Sequence, residues 1–111
     1  MSAPLLAWHF CADSAGKPVY RDGSTVEVGR WLRHDGPLIL CESGLHASRL
    51  VVDALGYAPG PWLCRVEVCG EMVEDADKCV CCRRRPLAVA DVSRELHEFS
   101  WRIARRALLA E

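Results

Sequence analysis

Apolar residues recur along this chain first at strand spacing and later at helical spacing. Residues 5–10, Leu-Leu-Ala-Trp-His-Phe, are a short apolar and aromatic run, the pattern of a buried first strand. A polar turn containing Gly16 follows, and Val19 and Tyr20 lead into Arg21-Asp22-Gly23, where Asp-Gly signals a turn. Residues 25–31 alternate in part through Val26, Val28 and Trp31, which predicts the return strand of a hairpin. After a turn at His34-Asp35-Gly36-Pro37, the apolar run 38–41 reads as a further strand.

The period changes at Ser48. Leu50 or Val51, Ala54 and Leu55 have helical spacing, Ser48 is the expected N-cap, and Gly56 suits the helix end. A rigid loop, Tyr57-Ala58-Pro59-Gly60-Pro61, precedes the best strand of the chain at residues 62–69, with Gly70-Glu71 expected to close it. A charged turn at 74–78 leads into another strand over 79–84, limited by Pro86. From residue 91 to 110, Val92, Leu96, Phe99, Ile103 and Ala107 line one helical face, with Asp91 as N-cap and arginines toward the C-terminal pole. The elements predict one α+β domain over residues 1–111: a small, mainly antiparallel sheet with a short central helix and a longer C-terminal helix.

Composition adds mainly exclusions. Half of the 111 residues are apolar, which argues against disorder, and a formal charge of −1 supplies no bulk attraction to nucleic acid or an anionic membrane. The opening residues carry no basic region, and no apolar run approaches the ~18 residues of a membrane span, so a cytoplasmic protein in the host cell is expected. Oligomeric state is left open.

Seven cysteines admit free thiols or a metal. Their odd number, irregular spacing and lack of an export signal argue against a disulfide framework. Cys79 and Cys82 have Cys-x-x-Cys spacing and could join Cys64 and Cys69 around zinc. Alternation along 62–69, however, sets Cys64, Val66 and Val68 on one face and Arg65, Glu67 and Cys69 on the other.

His46 is the leading functional candidate. It precedes the central helix, whose first amides could help hold a phosphate, although a histidine satisfying a loop carbonyl fits the same pattern. Cys41 beside His46 offers a nucleophile and base without a third, orienting residue. Tyr57 and Trp62 flank the Pro-Gly-Pro loop, as residues that either line a cleft or cover the sheet's end. Arg83, Arg84 and Arg85, with Arg102, Arg105 and Arg106, form a candidate basic patch for an acidic protein surface or, as the lesser alternative, nucleic acid.

The ordered block Cys41-Glu-Ser-Gly-Leu-His-Ala-Ser48, short helix, Tyr57 and a strand ending in Gly70-Glu71 resembles an uncharacterised family of small phage and prophage proteins. That family shares a Cys-x-x-Gly-(Phe/Leu)-His-Ala motif and a Tyr-x-Pro loop, and the resemblance runs from about Trp8 to Lys78. It implies a viral or prophage origin. More distantly, the block resembles ADP-ribosyltransferases of the poly(ADP-ribose) polymerase type. That resemblance implies NAD-pocket roles for His9 on the first strand, Ser48 at the helix start and Tyr57 as a stacking residue, with Gly44-Leu-His46-Ala as the strand motif. Asp77-Lys78-Cys79 stands where the family's catalytic Glu should be.

The expectation is therefore a non-enzymatic phage- or prophage-type binding protein that engages a host protein or ligand, in a host-modulating or anti-defence role. A ligand subsite at His9, His46, Ser48 and Tyr57 and a partner surface at Trp62 and Arg83 to Arg85 are expected. An ADP-ribosyltransferase-like NAD-binding protein is the alternative, and a zinc-stabilised adaptor using Cys64, Cys69, Cys79 and Cys82 is a second. No catalytic residue and no cofactor is assigned; NAD and zinc belong to those alternatives alone.

Overall fold

A computed structural model describes residues 4–109, so Ala110 of the expected last helix lies outside the described residues. In chain order the elements are β1 (Leu5–Ser14), β2 (Lys17–Val19), β3 (Leu32–Arg33), β4 (Leu45–Ala47), α1 (Val51–Leu55), β5 (Trp62–Glu74), β6 (Cys79–Asp91) and α2 (Ser93–Leu109). This is a small α+β fold, as expected, and every strand pairing in it is antiparallel.

The long β5–β6 hairpin is its frame, paired from Trp62 opposite Asp91 to Glu74 opposite Cys79 with two register shifts between. Gly70-Glu71 does not close β5. Gly70 adopts φ +83 within a bulge, a backbone glycine enters at no steric cost, and the strand continues to Glu74. Likewise Pro86 does not end β6: it stands beside the second register shift, where a missing N–H is tolerated, and its carbonyl accepts the Gly29 amide at 2.7 Å.

β1 pairs along β5, from Leu5 opposite Val68 to Cys11 opposite Trp62. β3 and β4 take the other edge of β6. Ser48, directly after β4, then exchanges two backbone hydrogen bonds with Trp8, at 2.7 and 2.9 Å. The sheet thus curls back on its first strand.

Small side chains permit that closure. Ala7, Cys11, Ala47, Cys64, Cys79 and Cys81 are all buried beside Val26, Val66 and Val68. Here cysteine serves as a small apolar residue that lets opposite walls approach.

Three further expectations need correction. Residues 25–31 form no return strand: they make a single bridge, Thr25 to Val19, bury Val26 in the core and leave Val28 exposed, and the paired segment is β3. Residues 38–41 are a tight turn closed by the Ser43 amide on the Ile39 carbonyl at 2.8 Å, with Cys41 left-handed at φ 68. Ser48 is spent on sheet closure, so α1 begins at Val51 with Leu50 as its N-cap and no side-chain cap.

The last helix forms as expected, with the Ser93 amide donating to Asp91 at 2.9 Å, yet it buries none of its residues. Phe99, Trp101 and Ile103 are exposed. The curled sheet closes its apolar face on itself and leaves this helix nothing to cover. A chain ending at Ser93 is therefore expected to keep the unfolding free energy within about 0.5 kcal/mol of the full chain. Urea titration followed by circular dichroism checks this; a loss of several kcal/mol would show that the helix supports the sheet.

Candidate functional site

Closure of the sheet leaves a cleft of about 1070 Å³ between β1, the β4 region and the loop after β2. His9, His46, Ser48 and Tyr57, the four residues expected to bind ligand, all line it. β1 supplies His9, directly opposite Cys64 on β5. β4 supplies His46, and its position depends on Gly44 two residues earlier. Gly44 holds φ +114 where an added Cβ would collide with Val80.

The Cys41 amide donates to Nε2 of His46 at 2.9 Å. An accepting Nε2 carries no proton, so this imidazole is neutral with its hydrogen on Nδ1. Burial lowers its pKa, with the Gly44 backbone opposing and the Arg84 charge adding to the fall. His9 is held well below the ordinary histidine value by burial first, then by Arg84 and His46. The cleft therefore presents two uncharged imidazoles near neutral pH.

These shifts set a sign for stability. Unfolded histidines take their protons near pH 6.5, and these folded ones resist doing so. Below that value the unfolded chain binds more protons, so their stabilising share is complete above about pH 6.5 and falls as pH drops through the folded pKa values. Urea midpoints from about pH 8 to about pH 5 should decline on the acid side, and His9→Phe should flatten most of that decline. A level wild-type profile would contradict the assignment.

The buried charge of the cleft is a residue that the sequence placed elsewhere. Arg84 is 5% exposed and donates through Nη1 to the His46 carbonyl. Its guanidinium lies 5.6 Å from the Tyr20 ring centroid. No carboxylate among the described residues comes within 4.0 Å of it. Burial lowers its pKa, but a guanidinium keeps its proton in a protein. The same burial helps push the Tyr20 phenol up to about 12.

Alternation therefore divides the expected arginine patch. Arg83 is exposed, Arg84 points inward opposite Val68, and Arg85 reaches Glu67 at 3.4 Å and stacks 4.8 Å from the Trp31 centroid. Trp62 ties its Nε1 to Asp13 at 2.9 Å and packs against the core. Carrying the inward face of β5 across the hairpin to β6 would have placed the middle arginine inside; the triplet read as one charged run concealed it.

At the rim, Tyr57 donates to Asp77, Lys78 lies 4.5 Å over the Tyr57 ring, and Lys78 also donates to Cys41 Sγ. The Asp77-Lys78 pair thus holds Tyr57 and the Cys41 turn. The four candidate zinc ligands are dispersed. Cys64 is buried in van der Waals contact with Cys11, their sulfurs 3.6 Å apart, and Cys79 is buried elsewhere in the core. Cys69 and Cys82 are only half-buried, at the Gly70 bulge. No three His, Cys, Asp or Glu side chains among the described residues converge on a common point.

The profile of a family described as a domain of unknown function, DUF7666, matches residues 9–98. The chain belongs to that family. The matched segment of the DUF7666 domain starts at His9 and takes in His46, Tyr57 and Arg84. Among curated proteins and among solved structures, none matches the chain. No helix among the described residues is long and apolar enough to cross a membrane.

Proposed function

We propose that this DUF7666 protein is a non-enzymatic binding protein that holds a small ligand in the curled-sheet cleft. One observation carries the reading: His9, His46, Ser48 and Tyr57, drawn from three separate stretches of sequence, line a single cavity. Its volume suits a cofactor-sized molecule, and its lining mixes apolar side chains with polar and charged ones able to orient a ligand. The ADP-ribosyltransferase-like resemblance makes NAD the first candidate ligand. The same rim argues for binding over turnover, because Asp77 and Lys78 serve as tethers and supply no free carboxylate to stabilise an oxocarbenium ion. The likeness to phage and prophage proteins favours a ligand drawn from the host, with host modulation or anti-defence as the biological role.

Titrating ¹⁵N-labelled protein with NAD and a panel of host nucleotides tests this. Amide shifts should cluster at His9, His46, Ser48 and Tyr57, with no nicotinamide released from NAD. Shifts confined to α2, or none with any ligand, would overturn the cleft reading. Nicotinamide release that disappears in His46→Ala would establish the enzymatic alternative.

A further inference from the structure

We propose that Arg84, His9 and His46 form a subsite for the phosphoryl group of a small phosphate ester that enters the cleft. The proposal rests on the reading of the cleft as a ligand site and names the chemistry that the ligand must carry.

Arg84 is the reason. A guanidinium buried this deeply is ordinarily neutralised by a carboxylate or held by several acceptors, because taking the charge out of water is costly. Here one carbonyl and one aromatic ring face it, and no described carboxylate reaches it. Glu67 is engaged by Arg85 on the outer face, Asp77 accepts from Tyr57, and Asp22 accepts from Ser24. Tyr20, whose phenol is pushed up to about 12, and the buried cysteines Cys11, Cys64 and Cys81 are the other groups that act on Arg84, and none is a carboxylate. Its remaining nitrogens have no protein partner among the described residues, and none is sealed from solvent. The open side faces the cleft. The charge is complete only with an anion brought from outside.

The surroundings of the fork narrow the anion. His9 and His46 line the same cleft as Arg84; the His46 ring is held by the Cys41 amide and the Gly44 backbone, while the neutral His9 ring keeps one N–H to offer. An arginine fork with two nitrogens still to be satisfied matches the several oxygens of a phosphoryl group. The cavity far exceeds a phosphate ion, which leaves room for an organic part beneath Tyr57 at the rim.

Calorimetry with the full chain compares adenosine monophosphate, adenosine and inorganic phosphate as probes. The monophosphate should bind at least tenfold more tightly than the nucleoside, inorganic phosphate should compete with it, and the His9 and His46 ring C–H resonances should shift. Arg84→Met should reduce the monophosphate to the nucleoside's affinity. His9→Phe should weaken the monophosphate severalfold more than it weakens the nucleoside, which provides a second variant should the first fold poorly. Equal affinity for monophosphate and nucleoside would overturn the phosphoryl subsite and leave the cleft reading standing. Phosphate binding unchanged in Arg84→Met, or no binding of inorganic phosphate and monophosphate, would overturn it as well. If NAD and every other panel member also failed to shift the cleft amides, the broader reading would fall with it.

Discussion

Gly44→Ala should lower the unfolding free energy by about 3 kcal/mol, a large share of the 5–15 kcal/mol typical of a domain. Two costs add. The residue holds φ +114, where an L side chain is strained by roughly 1–3 kcal/mol. Its new Cβ would also collide with Val80 Cγ2 and stand 2.9 Å from Leu38 Cδ2. Val80 is fully buried and cannot step aside freely, so overpacking adds about 1–3 kcal/mol. Any relief by backbone movement would displace His46 and its bond from the Cys41 amide, so the cleft should suffer with the fold. Chemical denaturation measures the first effect and the His46 ring resonances the second. A loss under about 1 kcal/mol with unmoved resonances would mean that the turn at 41–44 is softer than its geometry indicates.

Arg84→Met should act in the opposite direction on stability while removing the anion site. The free protein carries a desolvated charge without a counter-ion, and relieving it returns several kcal/mol. Against that stand the charged hydrogen bond to the His46 carbonyl, worth about 1.5–3 kcal/mol, and a cation–π contact of about 1 kcal/mol with Tyr20. Methionine fills similar space with a flexible apolar chain. The expected balance is a variant more stable by about 1 kcal/mol that has lost at least tenfold affinity for a phosphate ester. A urea midpoint shifted upward with unchanged slope would record the gain. A strongly destabilised variant would mean that Arg84 is a structural post holding β4.

Strand 62–69 and the C-terminal helix were legible because each has an unbroken hydrophobic period. Both ends of the central hairpin were less so. Gly70 and Pro86 are local stop signals, but a bulge absorbs each, and bulges depend on pairing across strands that a linear reading does not weigh. Ser48 has the chemistry of an N-cap, yet its backbone was claimed by Trp8 from the far end of the chain. The apolar run at 38–41 looked like a strand because hydrophobicity says nothing of the left-handed turn at Cys41. In the candidate site, His9, His46 and Tyr57 were recoverable from motif order. Arg84 was not, since only its place opposite Val68 separates it from Arg83 and Arg85.

The long hairpin and the helix that buries nothing also bear on how the molecule tumbles. A chain of this length folded compactly has a radius of gyration near 13 Å. Here it is 15.1 Å, with extents of 51 × 33 × 23 Å. Seventeen helical residues extend about 25 Å and each thirteen-residue strand of the hairpin about 43 Å, so a long hairpin and a helix packed on nothing make the molecule elongated. Rotational diffusion is therefore anisotropic, and friction exceeds that of a sphere of 12.3 kDa. The protein should elute from a sizing column ahead of its mass even as a monomer, and sedimentation equilibrium is the measurement that separates elongation from self-association.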